Sequence, residues 1–254
     1  MKVIALVFDY NLDKVIEVGR RTAKSVYKNK DFIFEYSAAS YATFIEKNPV
    51  TKLNIYTDDI DLMYSKLSKY CINLDNIIFH DYRERLKKYV NLDYCFRILF
   101  DAIKENHSFE EYTVKIDNDM IFLDSIPDMP NNDNRVLVWK NEHYVDTGNP
   151  LWGEKKACQI AVGTTHFPVS NIGLLGLPIN MQMDEAEETM NRLVSVDISD
   201  VTDVGSKIYH CCEQTAWNWI FHKYKYEIIE THQYVKHHFV DKINCIAEAK
   251  YLLK

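Results

Sequence analysis

The chain has 254 residues, 47% of them hydrophobic, with a formal net charge of −7. That length allows one large domain or two small ones, and that apolar content excludes a disordered chain. The negative balance argues against a duplex nucleic-acid partner, which calls for clustered lysine and arginine. No apolar run reaches the roughly 18–20 residues of a membrane span. The opening MKVIALVFDYN lacks a small-residue cleavage site and reads as a first strand, so the expected location is cytoplasmic. The six cysteines (71, 95, 158, 211, 212 and 245) show no CxxC spacing and read as reduced core thiols. Only seven glycines are present, with neither GxGxxG nor GxxxxGK. Any bound phosphate must therefore be neutralised without a glycine-rich loop, which points towards a metal.

In chain order, residues 2–8 (KVIALVF) read as a buried strand. A helix is expected over 12–28, with Leu12, Val15, Ile16 and Ala23 at helical spacing, and strands over 31–37 (DFIFEYS) and 52–59 (KLNIYTDD). Asp58 and Asp59, closing the latter and preceding IDLMYSKL, read as helix N-terminal acids. A helix over 60–70, a strand over 76–82 and a longer helix over 84–105 follow, the last with Leu86, Val90, Cys95, Leu99 and Ile103 on one stripe. Strands alternating with helices predict an α/β fold with a largely parallel sheet. Beyond 126 the pattern is less regular: turn-rich stretches at 124–135 and 146–156, an apolar segment at 172–179, helices within 178–195 and 208–224, and a final amphipathic helix after a histidine cluster.

The stretch TVKIDNDMIFLDSI at 113–126 places Asp117 and Asp119 within strand-forming residues. In a strand, residues i and i+2 share a side about 6.6 Å apart at ~3.3 Å per residue, so both carboxylates can face one place while Asn118 points away. Two unpaired acids at the rim of a core repel and are costly to desolvate, and a divalent cation such as Mg²⁺ or Mn²⁺ relieves both problems. The alternative is that the acids cap a strand end or pair with lysine or arginine. An Asp-x-Asp by itself is a common chance pattern.

Several local features in order resemble the nucleotide-sugar-dependent glycosyltransferases of the GT-A fold, especially the family 8 type related to glycogenin and bacterial galactosyltransferases. They are the opening strand ending in VFDYN, the helix LDYCFRILFDAI with Arg97 at a Tyr-x-x-Arg position, and KIDNDMIF as an Asp-x-Asp strand. VSNIGLLGL at 169–177 is similar to an Asn-x-Gly-hydrophobic segment, CCEQTAWNWIF to an Asp-Gln-x-x-x-Asn helix, and KHHFVDK to a closing His-x-x-Gly-x-x-Lys motif. The closing motif lacks its glycine, and Glu213 stands where the pattern has Asp.

The resemblance implies a single GT-A (Rossmann-like) domain with a mostly parallel central sheet flanked by helices. Residues 1–126 would form the nucleotide-sugar-binding half and 127–254 the acceptor-side half with the C-terminal helix. It implies that Asp117, Asp119 and His238, or its neighbour His237, ligate Mn²⁺ or Mg²⁺, and that Lys242 approaches the diphosphate of a UDP- or GDP-sugar. Asp9, Tyr10, Arg97 and Asn118 would contact the donor, Gln214 would lie near the anomeric carbon, and Glu213 would serve as a base or a hydroxyl-binding group. The acceptor would be a glycan or glycoconjugate hydroxyl. Retention of configuration follows from the family 8 likeness, whereas inversion suits Glu213 acting as base. Two other functions compete. Asp9 after a first strand suits a metal-dependent phosphohydrolase, although Asn11 stands where that chemistry wants a second Asp, and a catalytically silent, glycosyltransferase-like binding protein would carry the same motifs.

Overall fold

The computed structural model describes residues 1–8, 29–70, 73–87, 94–130, 134–147, 154–197, 212–238 and 241–254. The first strand, β1 (Lys2–Val7), is buried from Val3 onwards and lies inside the sheet, as its continuous apolar run requires. It pairs in parallel with β2 (Leu53–Thr57) on one side and β4 (Thr113–Ile116) on the other, and β3 (Ile77–Asp81) extends the β2 side. The chain thus builds outwards from β1 to β3 and then returns to place β4 against the other side of β1. The gap between the carboxyl ends of β1 and β4 is a topological switch point, where open α/β sheets bind ligands.

Beyond β4 the sheet continues through β7 (Pro168–Leu177), β6 (Arg135–Tyr144) and β8 (Glu227–Glu230), in the order β3-β2-β1-β4-β7-β6-β8. The β4–β7 and β6–β7 pairings are antiparallel and the other four are parallel, so the sheet is mostly parallel as expected. Side chains alternate across it. Ile4 and Leu6 belong to one core with Phe100 and Trp217, whose rings stack 4.9 Å apart, while Val3, Ala5 and Val7 belong to the core on the opposite face. Helices cover both faces. Within the described residues no helix is long and apolar enough to cross a membrane. Cys158, Cys212 and Cys245 are buried thiols.

The first described helix, α1 (Lys30–Lys47), corrects the strand expected over 31–37. Asn29 caps it, accepting the Phe32 amide 2.8 Å away. The helix is buried nearly all round, with Ala38, Ala39 and Ala42 allowing close approach. Its aromatic and β-branched start therefore shows no amphipathic period and reads as strand. The helix expected over 60–70 is α2 (Ile60–Leu67), and Asp59 is its N-cap, accepting the Leu62 amide 3.0 Å away. Of the helix expected over 84–105, the described residues hold α3 (Arg83–Leu86) and α4 (Tyr94–Asn106). The helix expected over 12–28 lies outside the described residues. The second half adds α5 (Glu154–Ala161), α6 (Met183–Ser195), α7 (Cys212–Lys223) and α8 (Lys242–Leu252). Strands β6 and β8 were not expected from the sequence; β6 carries two register shifts, between Val138 and Lys140 and between Asn141 and His143, which break its alternation.

After α7 the chain turns through Lys225, whose φ of 55° is left-handed. The Tyr226 amide bonds Phe221 O at 2.9 Å and the Lys225 amide bonds His222 O at 3.2 Å, the pairing of a Schellman C-cap. A Cβ in that conformation is unfavourable, so Lys225→Gly is expected to raise stability by about 1 kcal/mol in denaturant melts. An unchanged or lowered midpoint would contradict this.

Candidate functional site

The strand carrying the acid pair stops sooner than its sequence suggests. β4 ends at Ile116, residues 117–119 form a turn, and β5 (Met120–Phe122) leaves the central sheet to pair antiparallel with β9 (Val235–His237). Asp117 and Asp119 are therefore neighbours across a turn, not i, i+2 partners along a strand. Helix α1 holds this turn with short polar side chains. Ser40 Oγ accepts the Met120 amide at 3.2 Å, Thr43 Oγ1 the Phe122 amide at 3.0 Å, and Asn48 Oδ1 the Ile126 amide at 3.1 Å. On the other side the Asp117 amide bonds Gly173 O at 2.8 Å. Those bonds supply the backbone partners that β5 loses by leaving the sheet.

The β5–β9 pairing brings the C-terminal histidines to the acids, opposing His237 to Met120. His237 Nε2 lies 3.1 Å from Asp119 Oδ1 and 3.9 Å from Asp117 Oδ2. These three side chains offer ligand atoms all within 4.8 Å of one another. His238 points the other way, with Nε2 3.1 Å from Glu248 Oε2, and contributes only its amide, which bonds Asp119 O at 2.9 Å. The strand alternation of β9 thus delivers His237, the neighbour, and not His238. Burial holds the His237 pKa below its ordinary value, with Asp117 pulling it partly back up, so the ring is neutral at neutral pH as a metal ligand must be. Trp139 sets its edge against this ring, centroids 5.2 Å apart, and donates its indole N–H to Val235 O at 2.8 Å.

Each aspartate divides its two oxygens. Asp117 Oδ1 lies 2.6 Å from Lys115 Nζ, and Asp119 Oδ2 is ion-paired with Lys242, while the other oxygen of each turns towards His237. The acids are thus paired with lysines, contrary to the expectation of unpaired charge. The inward oxygens nevertheless suit a cation: among the described residues, the buried Asp119 Oδ1 makes no hydrogen bond, and the His237 Nε2 3.1 Å away is itself a ligand atom. Gly173 leaves the room for His237, since a Cβ there would come within 2.7 Å of its Cε1. Two carboxylate oxygens and one imidazole nitrogen fit Mn²⁺ or Mg²⁺.

Lys242 is the first residue of α8 and is itself buried. Asn118, between the acids, has a buried Nδ2 with no acceptor among the described residues, which suits a group reaching for a ligand oxygen. Glu213 and Gln214 open α7. Asn218, one turn later, clamps that helix to β7, its Oδ1 accepting the Ser170 amide at 2.9 Å and its Nδ2 donating to Ser170 O at 3.0 Å. Thr215 donates to the buried Glu154, which also lies 3.0 Å from His143 Nε2. Gln214 Nε2 is 3.5 Å from Glu142 Oε2, and Glu142 Oε1 accepts Asn171 Nδ2 at 3.0 Å. Asn171 Oδ1 in turn accepts the Gly173 amide at 2.9 Å, linking Gln214 to the strand beneath His237.

Glu213 is buried, and among the described residues its Oε1 has no hydrogen-bond partner. Burial pushes its pKa up to about 7; Lys115 draws it down, Asp117 pushes it up, and the Trp217 indole lowers it slightly. The folded pKa exceeds the unfolded one, so the folded state binds the extra proton between the two values. Stability therefore falls as pH rises from about 4.5 to about 7. Glu213→Gln is expected to flatten that slope and to be a few kcal/mol more stable than the parent at pH 8, measured by urea melts across pH. A parallel slope in both proteins would refute the assignment.

Arg97 is not brought to this cluster. It bridges α4 to α6, with Nε 2.8 Å from Asp101 Oδ1, an ion pair to Glu187 and a bond to Asn191 Oδ1. Asp9 and Tyr10 lie outside the described residues; β1 ends two residues before Asp9. Glu142 lies outside every motif singled out in the sequence, whereas Lys115, Asn171 and Gly173 belong to the KIDNDMIF and VSNIGLLGL segments without being expected site residues. Lys115 had a signal, being a lone lysine in an apolar strand two residues before Asp117.

Neither a family model nor a curated protein matches the sequence. Among solved structures the chain is similar to the galactosyltransferase LgtC in complex with donor and acceptor sugar analogues, at 12% identity and a TM-score of 0.47 over 84% of this chain and 70% of that one. It is also similar to WbbM, a bifunctional glycosyltransferase, at 11% identity and 0.49 over 99% and 44% of the two chains. Mouse xyloside xylosyltransferase 1 matches at 11% and 0.47 over 91% and 84%. At these identities and TM-scores the likeness carries none of the site's chemistry, which stands on the residues above.

Proposed function

We propose that the protein is a metal-dependent glycosyltransferase, moving a sugar from a UDP- or GDP-sugar to a hydroxyl of a glycan or glycoconjugate. The observation that carries this reading is the convergence of Asp117, Asp119 and His237 with Lys242 and Glu213 beside the carboxyl end of β4. Asp117, Asp119 and His237 would hold Mn²⁺ or Mg²⁺, which supplies positive charge to the departing diphosphate. Lys242 exchanges its Asp119 partner for a diphosphate oxygen and adds a second positive charge there. Asn118 donates its amide to the donor, and Gln214 faces the anomeric carbon. In the transfer the acceptor O–H bond breaks and its proton passes to the Glu213 carboxylate. The acceptor oxygen bonds the anomeric carbon, and the carbon–oxygen bond to the diphosphate breaks with its electron pair leaving on the phosphate. A base with a pKa near 7 is matched to this task at neutral pH. Asp9 and Tyr10, following β1, complete the nucleoside side of the proposal.

The test is a screen of UDP- and GDP-sugars by thermal shift and sugar transfer, with and without Mn²⁺. A donor should raise the melting temperature only with cation, Asp117→Asn should remove that rise, and turnover should climb with pH through about 7 in the parent but not in Glu213→Gln. Donors that behave alike with and without cation would sink the reading.

A further inference from the structure

Lys115 has a setting that the proposed chemistry does not use. It sits in β4, in register with Ile4 on one side and Leu175 on the other, and is 2% exposed. Its ammonium donates to Ile172 O at 3.0 Å and lies 2.6 Å from Asp117 Oδ1. A buried ammonium is costly unless its charge is paired, so Asp117 and Lys115 are mutually dependent. Lys242 stands in the same relation to Asp119. Among the described residues, the two ammonium groups balance the two aspartates before any metal arrives, with the buried Glu213 a further carboxyl group coupled to both Lys115 and Asp117. Lys242 opens a helix and has a second use, on phosphate. Lys115 lies inside the sheet, fixed by the Ile172 carbonyl, and remains where it is.

A divalent cation entering alone would place net positive charge beside this fixed ammonium, more than Glu213 can offset, in a site that is largely buried. A diphosphate arriving with the cation removes that imbalance. We propose that Lys115 is an internal counter-cation, which makes cation binding at Asp117, Asp119 and His237 conditional on the donor's diphosphate. The inference rests on the glycosyltransferase reading of the same site. Lys115 is a positioning residue here: it touches neither substrate nor cation, and acts by occupying one Asp117 oxygen and setting the charge of the cluster. Its removal should then tighten the site for a bare cation, the opposite of what losing a merely structural contact would do.

The experiment titrates Mn²⁺ into the parent, Lys115→Met and Lys115→Gln, with free Mn²⁺ followed by electron paramagnetic resonance, each with and without uridine or guanosine diphosphate. The parent should take up Mn²⁺ at least tenfold more tightly with one of the diphosphates than without. Lys115→Met should bind Mn²⁺ alone at least tenfold more tightly than the parent and gain less from the diphosphate; Lys115→Gln serves the same purpose should the methionine variant not fold. Variants that bind bare Mn²⁺ no better than the parent, while the parent keeps its coupling, overturn the role of Lys115 and leave the glycosyltransferase reading standing. Mn²⁺ bound by the parent as tightly without diphosphate as with either one overturns it with no variant needed. Absence of Mn²⁺ binding under every combination removes the glycosyltransferase reading itself.

Discussion

Asp119→Ala is expected to cost about 3–5 kcal/mol of stability and to abolish the cation-dependent response to nucleoside diphosphate. The stability loss follows from the Lys242 ammonium, which is 5% exposed and would be left without its carboxylate. Removing one member of a buried pair is far worse than removing both. Lys242→Met in the same chain should therefore recover much of the loss, with a coupling of about 2–3 kcal/mol in a double-mutant cycle. Function should not recover with it. The double variant lacks both a proposed cation-ligand oxygen and the lysine proposed to meet the diphosphate, and transfer should stay down by at least about 10²–10³-fold. Additive stabilities would show that the pair is not formed in solution, and transfer restored in the folded double variant would remove both residues from the chemistry.

Gly173→Ala is expected to separate the site from the fold. The new methyl would stand 2.7 Å from His237 Cε1 and 3.0 Å from Nδ1, with Asn171 Oδ1 at 3.2 Å, so the ring must leave the position in which its Nε2 meets Asp119. Overpacking of this kind costs about 1–3 kcal/mol. Because the displaced ring is a proposed ligand, cation affinity measured with nucleoside diphosphate present should fall by about 10–100-fold. Gly176, three residues on in the same strand, is the control. A Cβ there meets Tyr112 Cε1 at 2.7 Å and Leu137 Cβ at 2.8 Å, both in the core, so Gly176→Ala should lose comparable stability and keep its cation affinity. Equal losses of affinity in both variants would mean that general loosening, not the His237 clash, was being measured.

How much of this was legible in the sequence depended on whether burial was one-sided. KVIALV and LNIYT gave themselves away as strands because short apolar runs between polar flanks have few alternatives. IDLMYSKL showed its helix through the Asp59 cap and an amphipathic face. Residues 30–47 did neither: packed against the sheet on one side and α8 on the other, that helix is buried nearly all round, and its aromatic start favoured the wrong period. The break after Ile116 was also hidden, because the residues that compel it are Ser40, Thr43 and Asn48 on a helix some 70 positions earlier.

The amino-acid sequence by itself determined the alternating α/β order, the absence of a glycine-rich phosphate loop and the presence of an Asp-x-Asp pair with a distant histidine and lysine. Those are properties of residue type and local spacing, which chain order alone carries. Only the tertiary structure decided which histidine faces the acids, that Arg97 is spent on Asp101 and Glu187, and that each aspartate already carries a lysine. The reason is that a strand's facing flips with every residue. Whether His237 or His238 turns inwards is fixed by the register in which β9 meets β5, and that register exists only once two segments more than a hundred residues apart have paired.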